Sequence, residues 1–386
     1  MLLERLSSSL GLPQVLASGL HKKLFAFFYG QQLAYQYAKQ GAHLVLVARR
    51  ERSLQEVAEQ ARACGSPDVL VVSGDVSKKD DCKRFVEAAV DHFGKLDHLV
   101  NNAGITNICM FEEATDVNNF RPIMNDSRAR SPKDHPSFDS DHDNETKNRP
   151  SSGAQGNGTV VEELNTSGHD TGADPSIGLQ LALYVPAEIT TPIETNFWGA
   201  IYPTYFAIPH LKNTRGKIIV TASAGGWFPY PRMAVYNASK AALINFYECL
   251  RVELGHDVGI TIVTPGFVES EMTKGKHLSK EGTMVIDQEM RDVQIGLIPV
   301  AKAEGCAKAM LNGARRGDRY VTEPPWFKAL YFWRAFCPEI LEWVNRFLLI
   351  TGTSERESLS KKIVNATGAK YFLYPASIQT SDVKTD

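Results

Sequence analysis

No stretch of this 386-residue chain approaches the roughly 18 consecutive apolar residues that a bilayer-spanning helix requires. The first 29 residues do not read as a secretory leader, because polar residues and His21-Lys22-Lys23 interrupt the apolar run. The cysteines Cys64, Cys82, Cys109, Cys249, Cys306 and Cys337 are scattered, and none forms a CxxC. No His/Cys grouping has metal-ligand spacing, so neither a zinc module nor a disulfide framework is expected, and a reducing or cytosol-facing setting fits. Net charge is only -2, which implies no strong field for nucleic acid. What the chain does have is apolar material: 43% of its residues, enough for one large core or two smaller ones.

Helical and strand patterns alternate along that apolar material. Residues 31–39, 53–63 and 82–93 read as helices, and residues 43–48, 68–72 and 96–100 as strands. Further on, 217–221, 259–263 and 319–321 read as strands, separated by helices over 196–211, 239–254 and 302–314. Such alternation predicts an α/β fold: a Rossmann-like, doubly wound parallel sheet with helices on both faces. Residues 125–192 break the pattern with repeated Asp, Ser, Asn, Gly and Pro. They cannot bury enough apolar surface to offset ordering, so a disordered insertion into a single domain is expected. It serves either as a plain loop or as a regulatory or binding segment. The triplets starting at Asn144, Asn157 and Asn165 match glycosylation sequons, which arise readily in such composition. The expected order is an atypical segment at 1–29, a first part of the α/β domain at 30–124, the insertion, and a second part of the same domain at 193–322. An amphipathic aromatic segment at 323–350 and an exposed tail at 351–386 follow.

Three residues carry the chemistry. Tyr236 and Lys240 stand four apart, and Ser223 lies 13 residues before the tyrosine. Spaced one helical turn apart, tyrosine and lysine can face one cleft. Asn101-Asn102-Ala103-Gly104 closes one strand, and Pro265-Gly266 follows another. Strand carboxyl ends are where open α/β sheets bind ligands. Together these features resemble the short-chain dehydrogenase/reductases over about residues 30–124 and 193–350. Asn196-Phe197-Trp198-Gly199-Ala200-Ile201-Tyr202-Pro203 and Arg319-Tyr320-Val321-Thr322-Glu323-Pro324-Pro325-Trp326 resemble the plant 11β-hydroxysteroid dehydrogenase-like branch, which includes the steroleosins of oil bodies.

The resemblance implies a proton donor or acceptor at Tyr236, a hydrogen-bond donor to the substrate oxygen at Ser223, and support of Lys240 by Asn196 through a helix distortion and a water relay. A free tyrosine has a pKa near 10, and a nearby ammonium favours its phenolate. Asn102, Ala103 and Gly104 should line the ribose and nicotinamide side, where Lys240 also holds the ribose. Asp75 and Val76 resemble the adenine contact. Pro265, Gly266 and Phe267 should shape the nicotinamide pocket, with Thr273 a further candidate. Arg49 and Arg50 stand where an NAD site wants an acid for the ribose 2′-hydroxyl. Two arginines suit a 2′-phosphate instead, so NADP(H) is the expected cofactor; the alternative is an ordinary solvated charge pair. No metal is expected.

One part of the pattern is broken. The family's phosphate loop, Gly-x-x-x-Gly-x-Gly, retains only Gly30 here; its other glycine positions fall on Leu24 and Phe28. A β-carbon and bulky ring cannot imitate the close approach of backbone to pyrophosphate, so weak or absent cofactor affinity is expected. The first strand is expected either in the polar start of the chain or at residues 24–29.

The implied substrate is a lipophilic sterol-like alcohol or ketone, with Trp227, Phe228 and Tyr230 lining an apolar mouth. Residues 324–350 interleave aromatics such as Trp333 and Trp343 with Lys328, Arg334 and Glu342. This stretch either packs on the domain or a second subunit, or lies on an oil-body or endoplasmic-reticulum surface facing the cytosol. Residues 1–29 do not resemble the relatives' proline-knob anchor; without such an anchor the expectation is a cytoplasmic protein. The resemblance also implies a homodimer. Two readings remain open: an active NADP(H)-dependent oxidoreductase, or a catalytically impaired shell acting at a lipid surface or as a dimerising protein.

Overall fold

The computed structural model describes residues 28–116, 192–350, 352 and 356–379, with side chains described from Gly30 onward. The expected insertion, the sequons and residues 1–27 lie outside the described residues, apart from residue 192 at the insertion's edge. Within them the chain alternates as the pattern predicts: α1 (Phe28–Ala38), β1 (Leu44–Ala48), α2 (Glu51–Ala63), β2 (Val69–Ser73), α3 (Lys79–Phe93) and β3 (His98–Asn101). After the insertion come α4 (Gly199–Thr214), β4 (Lys217–Thr221), α5 (Ala234–Leu254) and β5 (Gly259–Pro265). A short antiparallel pair follows, β6 (Lys276–Leu278) and β7 (Met284–Ile286), then α6 (Gln288–Ile295), α7 (Ala303–Arg316) and β8 (Tyr320–Glu323).

The helices form where apolar residues recur every three or four positions. In α2 these are Leu54, Val57, Ala58 and Ala61; in α3 they are Cys82, Phe85, Val86 and Ala89. Gly94 ends α3 in the left-handed conformation, with φ 73°, which a β-carbon would oppose. The strands β4 and β5 are near-continuous apolar runs, as strands covered on both faces must be. Ile218, Ile219, Val220, Ile262 and Val263 are all fully buried.

Apart from the β6–β7 pair, all strand pairings are parallel, and among the described residues these strands fall into two sheets. β1 pairs with β2, while β3, β4, β5 and β8 pair in that order. α1 and α3 span the break between the sheets. Leu33 packs in one cluster with Ile219 and Val263, and Ala34 and Ala38 in another with Leu44 and Leu46. On the opposite face, Phe85 and Val86 share a cluster with Val47, Val72 and Leu99. Phe28 and Tyr29 stand in α1, so a first strand reaching to residue 29 is not what forms.

The tail departs from expectation. Residues 356–379 are not an exposed end: α10 (Leu359–Thr367), α11 (Lys370–Leu373) and α12 (Ala376–Gln379) dock on the domain. Ser358, Ser360, Val364, Tyr374 and Ile378 are buried. Serine and lysine content is a poor guide here, because Ser358 is a helix cap and Ser360 is buried. Ser358 accepts from the Lys361 N–H at 3.2 Å while a thin apolar stripe does the packing. The aromatic segment forms α8 (Phe327–Phe336) and α9 (Pro338–Asn345) and a wide turn over Arg346–Ile350.

Candidate active site

α5 begins at Ala234, five positions before the pattern suggested, which brings both Tyr236 and Lys240 into its first two turns. What holds that start is a residue far away in the chain. Asn107, on the segment after β3, accepts the Tyr236 backbone N–H at 3.1 Å, satisfying a donor that no helical carbonyl can reach. No short-range motif points to Asn107, because its partner is 129 residues away.

Tyr236 is 6% exposed and Lys240 3% exposed. The Lys240 Nζ lies 5.9 Å from the centre of the Tyr236 ring and donates to the Thr221 carbonyl at 2.9 Å. Burial drives the lysine pKa down to about 7. Burial also raises Tyr236, opposed by a hydrogen bond with the Ser223 hydroxyl. The expected lowering of the tyrosine by its lysine is therefore not what dominates: desolvation of both groups is the larger effect. Ser223 itself is fixed at the end of β4 by accepting the Gly225 N–H at 3.0 Å.

Asn196 sits in a π-helical turn, Glu194–Trp198, that leads into α4. It is fully buried and bonded at both ends of its amide. Its Oδ1 accepts the Ile105 N–H at 2.8 Å, and its Nδ2 donates to the Ile105 carbonyl at 2.9 Å and to Ser239 Oγ at 3.0 Å. A β-carbon on Gly104 would stand 3.2 Å from the Asn196 Oδ1 and 3.5 Å from the Lys240 Nζ. The glycine lets the strand end, the asparagine and the lysine converge. Asn101 is a tie rather than a ligand: its amide Nδ2 lies 2.9 Å from Thr204 Oγ1 and 2.8 Å from Tyr247 Oη, joining β3 to α4 and α5.

A cavity of about 1460 Å³ joins these residues to the remaining candidates. Arg49, Arg50, Asp75, Val76, Asn102, Ala103 and Thr273 all line it, as do Gly30, Pro265, Gly266 and Phe267. Their commitments differ. Arg49 is exposed, and Arg50 is 3.6 Å from Glu271. Asp75 turns its carboxylate onto Ser77, accepting from its N–H and its hydroxyl. The Thr273 hydroxyl is held within its own loop by the Ser270 N–H and the Val268 carbonyl, so it braces the pocket wall. Tyr230 and Phe267 meet edge to face across the substrate side, with ring centres 5.2 Å apart.

A buried tyrosine and lysine with a half-buried serine, at the carboxyl edge of a parallel sheet and beside a glycine-permitted approach and two arginines, have the make-up of a pyridine-nucleotide oxidoreductase site. The chain matches the short chain dehydrogenase family over residues 29–126 and 171–281. It is 44% identical over 359 residues to "11-beta-hydroxysteroid dehydrogenase A" of Arachis hypogaea, covering 92% of this chain and 83% of that one. The same identity and coverage hold for "11-beta-hydroxysteroid dehydrogenase 1A" of Arabidopsis thaliana. A Pinus massoniana 11-beta-hydroxysteroid dehydrogenase is 37% identical, covering 91% of this chain and 80% of that one.

The chain belongs to the short-chain dehydrogenase family, in the branch of the plant 11β-hydroxysteroid dehydrogenase-like proteins. Its cofactor is NADP(H). The arginine pair at the end of β1, the Gly104 approach and the inward Lys240 fit that group. Of the phosphate loop, only Gly30 has a described side; a β-carbon there would come 2.9 Å from Asn102 Nδ2.

Proposed function

We propose that this protein interconverts a hydroxyl and a ketone on a steroid or sterol-like lipid. The observation that carries the reading is the convergence of Tyr236, Lys240 and Ser223 on one cavity. NADP(H), when bound, supplies or accepts the hydride at the substrate carbon. In the reducing direction the Tyr236 hydroxyl gives its proton to the substrate oxygen, and Ser223 donates a hydrogen bond to that oxygen as charge develops. In the oxidising direction Tyr236 takes the proton back. Lys240, held by the Thr221 carbonyl, supports the negative phenolate when protonated and faces the ribose side. Asn196 fixes the strand end at Ile105 and Ser239 on α5, so it positions the lysine's helix rather than touching it. Arg49 and Arg50 would meet the 2′-phosphate.

Tyr230, Phe267 and Met233 give the substrate side an apolar wall suited to a ring system. The test is a fluorescence titration with NADPH and with NADH on the full chain, followed by turnover of a sterol ketone. NADPH-preferring binding with turnover supports the reading. A folded protein that binds neither nucleotide overturns it.

A second reading is favoured by the surface of α8 and α9. Phe332, Trp333, Phe336, Ile340 and Trp343 are all at least 45% exposed. Such an aromatic face fits the interface of an oil body or endoplasmic-reticulum membrane, or a second subunit. Among the described residues no helix is long and apolar enough to cross a membrane. Lipid-droplet recruitment without turnover would make the site an idle one on a surface-binding shell.

A further inference from the structure

The residues that lead into the catalytic helix, Pro229 to Met233, have every backbone carbonyl bonded, and the donors come from four parts of the chain. Pro229 accepts from the Asn345 side chain of α9 at 3.1 Å, and Pro231 from the Gln294 side chain of α6 at 3.2 Å. Arg232 accepts the Cys109 N–H at 3.0 Å. Tyr230 and Met233 accept from Asn237 of α5 itself, at 3.0 Å and 2.8 Å.

Within this loop Arg232 is strained. Its φ is 64°, a left-handed backbone that a residue with a β-carbon seldom adopts unless its surroundings hold it there. Arg232 is also 6% exposed, and its Nη1 donates to the Leu349 carbonyl at 2.8 Å. Taking a guanidinium out of water is costly unless it is bonded, so this contact ties the loop to its partner. Leu349 belongs to the wide turn over Arg346–Ile350 that closes the aromatic segment. It is buried with Leu341 in the cluster that also holds Tyr230, Met233 and Tyr236.

On its other side Arg232 reaches the catalytic helix. The Asn107 Nδ2 lies 3.5 Å from the Arg232 carbonyl oxygen, and the Asn107 Oδ1 accepts the Tyr236 N–H at 3.1 Å. A bonded path therefore runs from Leu349 through Arg232 and Asn107 to the first turn of α5. The N–H groups of that turn have no intrahelical acceptors, so its direction depends on such outside bonds.

We propose that Arg232 is a positioning residue for Tyr236. It fixes the start of α5, and with it the place of the phenol beside Ser223, against the turn that closes the aromatic segment. The inference rests on the role of Tyr236 as proton donor proposed above. A displacement of about 1 Å at a reacting group can cost about 100-fold in rate, so a slackened loop acts on the chemical step rather than on binding.

The test reads turnover and structure separately, on the full chain. Arg232→Met keeps most of the bulk and removes the donor. It should lower kcat for sterol-ketone reduction by about tenfold, with KM and NADPH affinity within about twofold of wild type. Hydrogen exchange read by NMR should show the Tyr236 amide losing about tenfold of its protection, while Leu250, later in α5, keeps its own. Arg232→Lys, which can still donate to the Leu349 carbonyl, should regain most of both. A folded Arg232→Met with an unchanged kcat, or with a Tyr236 amide as protected as in the wild type, overturns the proposal. So does an equal loss of protection at Leu250, which marks general destabilisation. A wild type without turnover defeats the functional reading instead, and exchange at Tyr236 then decides this one alone. Should Arg232→Met fail to fold, Arg232→Asn decides by the same readouts, since asparagine tolerates the left-handed backbone and is too short to reach Leu349.

Discussion

The Lys240 Nζ stands 5.9 Å from the centre of the Tyr236 ring while bonded to the Thr221 carbonyl, so the ammonium is tethered to β4 and the phenol to α5. The acid–base pair is thus set by the packing of a helix on a strand. Tyr236→Phe removes only the transferable proton. Sterol-ketone reduction should fall by about 100-fold to 10,000-fold while NADPH affinity changes little. Parallel turnover and titration measurements separate the two; an equal loss in both would mean that the residue's role is structural.

Lys240 also makes stability depend on pH. Burial lowers its pKa to about 7, below the unfolded value near 10.5. Between these values the unfolded chain binds more protons, so stability rises with pH across that window and is lowest at and below its acid end. Lys240→Met should flatten the slope, which is on the order of a few kcal/mol over the window. Denaturant unfolding from pH about 6.5 to about 9.5 reads it.

Asn196 makes three hydrogen bonds inside the protein from a fully buried position. Asn196→Ala would strand the Ile105 N–H and carbonyl. A loss of roughly 2–5 kcal/mol in unfolding free energy is expected. Asn196→Asp keeps the acceptor for the Ile105 N–H but loses both donated bonds, so it should fall between. No measurable destabilisation would contradict the bonding seen.

The role proposed for Arg49 and Arg50 makes cofactor choice depend on charge at the end of β1. Arg49→Ala and Arg50→Ala should each weaken NADPH by about tenfold and leave NADH nearly unchanged. Arg50 starts from a compromised position, since Glu271 lies 3.6 Å away. Glu271→Gln should therefore strengthen NADPH binding modestly. Competitive titrations with both nucleotides at matched salt would check all three.

The aromatic face of α8 and α9 gives a separate test. Trp333→Ser with Trp343→Ser should cut co-flotation with phospholipid-coated oil droplets by about tenfold, without changing turnover of a dispersed substrate. Unchanged flotation would assign the face to protein contact instead.

Much of this was legible in the chain because parallel-sheet strands and amphipathic helices announce themselves by period. The residues of β4 and their neighbours at Tyr236 and Lys240 were fixed by local pattern. Asn107 and Asn101 were not, since the side-chain partners of each lie more than 90 residues away in the chain. The electrostatics were misjudged for a related reason: spacing shows that lysine and tyrosine meet, but only packing shows how dry the meeting place is. The tail's packing is not legible because Ser358, which reads as solvated, serves as a helix cap.

That tail braces the segment from Arg291 to Val300. The Tyr374 hydroxyl donates to the Gly296 carbonyl at 2.8 Å, Arg291 Nη1 to the Ile378 carbonyl at 2.7 Å, and the Val300 N–H to the Leu373 carbonyl at 2.9 Å. Phe267 packs against the same cluster. Residues 356–379 act as a clasp on the segment that carries Phe267, Gly296 and Val300. A protein clipped near residue 355 would lose the packing of Tyr374 and Ile378 against Ile295, Val300 and Phe267.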